Sequence, residues 1–280
     1  MKSQRGVESG MNNFNASSEN YQSNAIAQRR AFDKTFSLLK QRVKSNSSIL
    51  DLGCGPGTFT RQLADMTHAE VIGVDISAQM IEKASKTHQK ANLFFKQQDI
   101  ERLDTHHKKD VIFANSSLYY IKNRVSCYEK IAATLTAKGV FIAQLAYGPD
   151  FTTCFAKALN KLLLCHSEIR QAMRQYRADI FFYSDETQWT RELLLAGLKV
   201  VLMESEDQIL LLDVDETMTQ YESNVFLSVL NPLNYADPSL ITADFCQRFR
   251  MLMRAEFEKM ANGEGLLSVV YPRMYLVAEK

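Results

Sequence analysis

The chain has 280 residues, 46% of them hydrophobic and 23% charged, which is long enough to bury a core without disulfides or metals. Thirty-three basic residues nearly cancel thirty-two acidic ones, which argues against the broad basic surface of a nucleic-acid binder. Five scattered cysteines without CxxC spacing point away from a disulfide framework or a zinc site, and neither a signal-peptide core nor an apolar run of about 18 residues is present, so the reading is a cytoplasmic protein with no metal and no membrane span.

Residues 1–13 are polar and read as a disordered N-terminus. From position 14 to 43 apolar residues recur at helical spacing, among them Ala25, Phe32, Phe36 and Leu39. Strands and helices then alternate. SSILDLG reads as a buried strand, followed by a glycine turn and a helix over 58–66. VIGVDIS is a second strand and SAQMIEKASKTHQK a helix, with Ser77 as its N-cap. LFFKQQD and DVIFANSS are the third and fourth strands. A helix over 124–135 follows, closed by Gly139, and then GVFIAQLAY as the fifth strand. One long helix or two are expected over 151–177, and another over 185–196 that ends near Gly197. LKVVLM is the sixth strand. The stretch 206–262 mixes helical pattern with breaks at Asn231-Pro232 and Asp237-Pro238. GLLSVVYPRMYLVAEK closes the chain as a strand pair or one bulged strand.

This alternation predicts an α/β fold: a Rossmann-like doubly wound, seven-stranded sheet with helices on both faces. The segments around 151–190 and 206–262 are expected to form an inserted helical lid within one domain over 14–280. Ligands of such sheets bind at the carboxyl ends of the strands.

The strongest chemical signal is Leu50-Asp51-Leu52-Gly53-Cys54-Gly55-Pro56-Gly57. Glycines at alternate positions let the backbone turn sharply and approach a ligand. The spacing is GxGxG, and Thr58 stands where a dinucleotide fingerprint needs its third glycine. Asp51, two residues before the first glycine, is placed to anchor the turn or to meet a cationic ligand. Asp75 ends the second strand, where a carboxylate can accept both ribose hydroxyls. Asp99 and Ile100 end the third and suit the edge and face of an adenine. Met80 is placed either to cover the other face or to pack in the core. Cys54 reads as a small residue of the turn rather than a nucleophile.

LDLGCGPG, VIGVDIS, QQDI and FANSSLYYI, in this order and spacing, resemble the class I S-adenosylmethionine-dependent methyltransferases. FANSSLYYI, GVFIAQLAYGPD and the ending GEGLLSVVYPRMYLVAEK are similar to the trans-aconitate methyltransferase group. FNASSENYQSNAIAQRRAF looks more like the malonyl-carrier-protein methyltransferases. The sequence departs from the trans-aconitate pattern in MESEDQI after the sixth strand, and in Tyr120 where that group has Trp. The resemblance implies S-adenosyl-L-methionine as cofactor. It implies that Asp51, Gly53, Gly55 and Gly57 bind its methionine end, Asp75 the ribose, and Asp99 and Ile100 the adenine; Ile76 and Met80 are further candidates for contact with the cofactor. Asn115 would lie beside the sulfonium, with Tyr21 and Gln28 closing over the cofactor.

Methyl transfer from a sulfonium is an in-line displacement, in which positioning and exclusion of water supply most of the acceleration. A carboxylate acceptor is already ionised at neutral pH and needs no general base. His68 and His88, near helix ends, lie away from the expected strand-end cleft. His106, His107 and His166 fall in a polar loop and in the long helix. Candidates for the acceptor pocket are Tyr119, Tyr120, Tyr147 and Tyr183. Arg174, flanked by Arg170 and Arg177 at helical spacing, and Arg273 are candidates for carboxylate recognition. The favoured reading is a methyltransferase acting on a small-molecule carboxylate, either a free acid or a carrier-bound acyl group. The alternatives are a nicotinamide-dependent oxidoreductase and a non-catalytic S-adenosylmethionine-binding module.

Overall fold

The computed structural model describes residues 26–146, 153–177, 185–222 and 225–280. Seven strands form one sheet: β1 (Ile49–Leu52), β2 (Val71–Asp75), β3 (Leu93–Gln97), β4 (Lys109–Asn115), β5 (Leu135–Ala146), β6 (Lys199–Leu212) and β7 (Leu267–Glu279). Their order is β3-β2-β1-β4-β5-β7-β6. The pairs among β3, β2, β1, β4 and β5 are parallel, and β5 pairs antiparallel with β7. The order reverses between β1 and β4, which puts the topological switch point beside the glycine turn. The α/β doubly wound reading therefore holds.

The chain divides into two compact units. The first contains 26–149, 181–206 and 273–280 and carries most of the sheet. Four helices follow from its sequence: α1 (Ile26–Lys40), α2 (Thr58–Leu63), α3 (Ala78–Thr87) and α4 (Arg124–Thr134). Ser77 caps α3 as expected, accepting from the Met80 N–H at 3.2 Å. The sheet is covered on both faces. On one, Phe32 and Leu39 of α1 and Leu63 of α2 pack on Ile49, Val71, Val111, Phe113, Val140, Ile142 and Val277. On the other, Tyr128 and Ile131 of α4 pack on Leu50, Leu52, Ile112, Phe141, Met274 and Leu276 together with Trp189 and Leu193. These last two belong to α7 (Glu186–Leu195), which is terminated by Gly197 at φ 80°. The buried Arg124 guanidinium reaches both carboxylate oxygens of Glu192 at 2.8 Å and lies 4.8 Å from the Trp189 ring, locking α4 to α7.

The second unit contains 150–180 and 207–272 and is mainly helical in its described part. Its helices are α5 (Thr153–Cys165), α6 (Ser167–Arg174), α8 (Val214–Glu222), α9 (Val225–Val229) and α10 (Ala243–Met260). Its core is aromatic: Phe155, Tyr221, Phe226, Phe249 and Phe257 meet ring to ring. The Asn-Pro and Asp-Pro breaks are short 3-10 turns, capped by Asn231 and Asp237.

Two boundaries correct the sequence reading. Gly139 does not close α4. That helix ends at Thr134, and Gly139 lies inside β5, where the register against β4 shifts between Lys109 and Val111. The sixth strand continues well past position 203 to Leu212, because its acidic stretch is the exposed face of an edge strand. The end of the chain is one 13-residue strand, the second of the two forms expected for it. Among the described residues no helix is long and apolar enough to cross a membrane.

Candidate functional site

Side chains alternate across a strand, so strand register sorts the sheet-end polar groups by face. On the face covered by α1, the apolar residues Ile49, Val71, Val111, Val140 and Val277 continue at even spacing to Asp51, Asp75, Asn115, Gln144, Tyr275 and Arg273. Asn115 is in register with Gln144, Gln144 with Tyr275, and Ala146 with Arg273. Five neighbouring strands thus end in a polar row on one face, at the edge where the parallel strands terminate.

The three glycines of the turn all have positive φ, at 74°, 53° and 81°, yet each is glycine for its own reason. A Cβ on Gly53 would stand 2.4 Å from Cβ of Ser117, whose hydroxyl donates to the Leu52 carbonyl at 2.7 Å. A Cβ on Gly57 would strike the Phe95 ring at 2.6 Å. A Cβ on Gly55 would meet nothing within 4 Å. The outer two are required by packing, whereas the middle one opens on space that a ligand can use.

Asp75 closes the turn. One carboxylate oxygen accepts from the Gly55 N–H and the other from the Ser77 N–H, both at 2.9 Å. Burial raises its pKa, against the lowering effect of those backbone bonds. Each oxygen keeps a lone pair, so the carboxylate can still accept hydroxyls. Asp51 is buried and accepts from the Thr60 hydroxyl at 2.6 Å, anchoring α2 beneath the turn. Burial pushes its pKa up to about 7, with the Asp75 charge adding to the rise and the Thr60 bond opposing it. Asp99 accepts from the Glu101 N–H at 2.9 Å, which turns the chain and seats Ile100 in the core. Ile76 is half-buried, and Met80 is fully packed.

At the end of β4, the Asn115 side-chain oxygen is shielded from water and accepts no hydrogen bond. Ser116 follows with φ 58°, the only non-glycine residue at positive φ among those described. Its hydroxyl donates to Gln144 at 2.5 Å, and the Gln144 amide donates to the Leu145 carbonyl at 2.6 Å. Strain of this kind persists where surrounding structure fixes it, and it gathers at binding sites. Sequence reading missed Thr60, Ser116 and Ser117. The one visible signal for the two serines was a polar Asn-Ser-Ser run at the end of an apolar strand.

Burial lowers the pKa of His88, against the raising effect of a hydrogen bond to the Pro56 carbonyl. Cys54 is buried with its thiol pKa pushed far up, which removes it as a nucleophile. Tyr120 is half-buried in a 3-10 turn, while Arg174 is exposed on α6 of the helical unit. Tyr21, Tyr147 and Tyr183 lie outside the described residues, as do the side chains of Gln28 and Tyr119. Among the described residues no three His, Cys, Asp or Glu side chains converge as a metal site.

The model of a family described as a methyltransferase domain matches residues 43–197, which include the glycine turn, Asp75, Asp99 and Asn115. A malonyl-[acyl-carrier protein] O-methyltransferase of Acetivibrio thermocellus is 29% identical over 128 residues, which is 45% of this chain and 45% of that protein. The chain thus matches about half the length of that relative. A trans-aconitate 2-methyltransferase of Methylobacterium nodulans is 25% identical over 83% of this chain and 86% of its own. The solved YcgJ protein of Bacillus subtilis shares the fold with a TM-score of 0.58 at 16% identity, over 89% of this chain and 98% of that one. The matched model, which spans more than half of the chain, together with the topology and the turn, shows that the chain belongs to the methyltransferase-domain family, with S-adenosylmethionine as its cofactor.

Proposed function

We propose that the chain methylates a carboxylate oxygen of a small acid. The observation that carries the cofactor half of this reading is the middle of the turn. Gly55 opens on free space, while its N–H is held by a carboxylate that retains acceptor capacity. Asp75 would hold the ribose and Asp99 with Ile100 the adenine. Asp51 and the glycine turn would face the ammonium end, and Asn115, with its unsatisfied oxygen, the sulfonium end. When bound, the cofactor supplies a methyl group on a positively charged sulfur, and an ionised carboxylate displaces it without a general base.

The acceptor half rests on the relatives. A trans-aconitate 2-methyltransferase matched over 83% of this chain carries the name of a tricarboxylic acid, and a malonyl-[acyl-carrier protein] O-methyltransferase matches 95% of it. The malonyl relative favours a carrier-bound acyl group as a second reading.

The test is incubation of the purified protein with methyl-labelled S-adenosylmethionine and a panel of carboxylic acids and acyl-carrier thioesters. A carboxyl methyl ester releases its label as methanol in alkali. Alkali-labile label confirms oxygen methylation of a carboxylate. Alkali-stable label on a product contradicts it and points to nitrogen or carbon.

A further inference from the structure

The end of β4 is held in a strained shape by its neighbour β5. Ser116 has φ 58°, a conformation that a residue with a Cβ avoids. Two bonds to one residue hold it there. The Ser116 N–H donates to the Gln144 main-chain carbonyl at 3.0 Å, and the Ser116 hydroxyl donates to the Gln144 side-chain oxygen at 2.5 Å. Gln144 lies in register with Asn115 and is fully buried, so water does not compete for its amide. The amide nitrogen donates to the Leu145 carbonyl at 2.6 Å, which fixes the amide plane and leaves its oxygen on Ser116. The turn at Ser116 has a consequence on the neighbouring strand β1. The Ser117 hydroxyl donates to the Leu52 carbonyl at 2.7 Å, and the Ser117 Cβ fills the space that a side chain on Gly53 would need. The residue before the turn is Asn115, whose side-chain oxygen is shielded from water and accepts no hydrogen bond. A buried carbonyl oxygen left without a donor is costly, and it suits a cation.

From this we infer that Gln144 is a positioning residue for the cofactor: through Ser116 it docks the end of β4 on the glycine turn and so presets the sulfonium side of the site, where the Asn115 oxygen meets the positive charge. The inference rests on the assignment of Asn115 to the sulfonium end and is independent of which acceptor is methylated. A glutamine amide suits the task, since one side chain must accept from a hydroxyl and donate to a main-chain carbonyl at once. A carboxylate in its place would set an acceptor against the Leu145 carbonyl, and an aliphatic side chain would leave the Ser116 hydroxyl without its acceptor. Left to its own preference, Ser116 relaxes toward negative φ. The docking of Ser117 on Leu52 then loosens, and the Asn115 oxygen is free to turn toward another donor. A dipole fixed before the charge arrives needs no reorganisation when the cofactor binds.

The test is calorimetric titration of the full-length protein with S-adenosylmethionine, whose sulfur is charged, and with S-adenosylhomocysteine, whose sulfur is neutral. Gln144→Met keeps the length of the side chain and removes its amide. It is expected to weaken S-adenosylmethionine binding about 3- to 10-fold, the worth of one buried hydrogen bond, and S-adenosylhomocysteine binding by less. Adding Ser116→Gly to Gln144→Met restores the affinity, because glycine takes φ 58° without help. A glutamine that only fills the core gives the opposite pattern, a lower melting temperature with no recovery from Ser116→Gly. Unchanged affinity in folded Gln144→Met overturns the inference. So does an equal loss for both ligands, or a loss that Ser116→Gly leaves in place. If Gln144→Met fails to fold, Ser116→Ala and Ser116→Gly decide. Both leave the Gln144 oxygen without its donor, but only the first carries a Cβ at positive φ. Weaker S-adenosylmethionine binding by Ser116→Ala supports the inference, and equal binding overturns it. Asn115→Ala keeps the two assignments apart, since a selective loss of S-adenosylmethionine there leaves Asn115 at the sulfonium whatever Gln144 does. An unaltered protein that binds neither ligand overturns the cofactor reading, and the inference with it.

Discussion

The buried carboxylate of Asp51 makes a prediction about stability that can be worked from the structure. Its pKa in the folded chain is about 7, against an ordinary value of 3.8, with burial as the main cause. Between those two values the native state holds a proton that the unfolded chain has lost, so stability falls as pH rises through the window and is level above it. Each pH unit of difference is worth about 1.4 kcal/mol, which sets the loss between about pH 4 and pH 7 at about 4 kcal/mol for the ligand-free protein. Asp51→Asn keeps an acceptor for the Thr60 hydroxyl but cannot ionise. Urea unfolding of both proteins across the window provides the measurement. The account expects the unaltered protein to lose stability relative to Asp51→Asn by several kcal/mol over that range. Asp75, whose pKa is also raised by burial, remains in both proteins and largely cancels. Parallel stability profiles would refute the assignment of a neutral buried carboxyl at this position.

Four further outcomes follow from the structure. Gly55→Ala places a Cβ in open space at φ 53°, so it costs about 1–2 kcal/mol of stability while abolishing S-adenosylhomocysteine binding by calorimetry. Gly53→Ala drives its Cβ into Ser117, and its main effect is a lower melting temperature. Asp75→Ala removes both the clamp on Gly55 and the ribose acceptor, and weakens S-adenosylhomocysteine binding by about 1.5–3 kcal/mol; unchanged affinity in a folded variant contradicts the ribose assignment. Trp189→Ala empties the junction of α4 and α7 and costs about 3–5 kcal/mol in chemical denaturation. The cofactor affinity of that variant stays within a few-fold of the unaltered protein under conditions where it is folded.

The parallel core was legible because its strands are short apolar runs that end in glycine or an acid, as in LDLG and VIGVD. The candidate carboxylates Asp51, Asp75 and Asp99 stood out for the same reason, since they are polar residues at the ends of apolar strands. What the sequence hid was geometry between distant segments. Ser117 sets the identity of Gly53 across 64 positions of chain, and the backbone of Ser116 is read only from its φ of 58°. The full length of β6 was obscured by Glu204, Glu206 and Asp207. They read as a break, but they decorate an edge strand, where charge discourages pairing with another chain. Gly139 was read as a helix stop on composition alone, although its φ is not positive and the strand simply passes through it.

The measurement that bears most directly on the central claim is calorimetric titration of the purified protein with S-adenosylhomocysteine, with NADH as the control ligand. The account predicts one-site binding of S-adenosylhomocysteine, lost in Gly55→Ala, and no binding of NADH. Folded protein that binds NADH and not S-adenosylhomocysteine would contradict it.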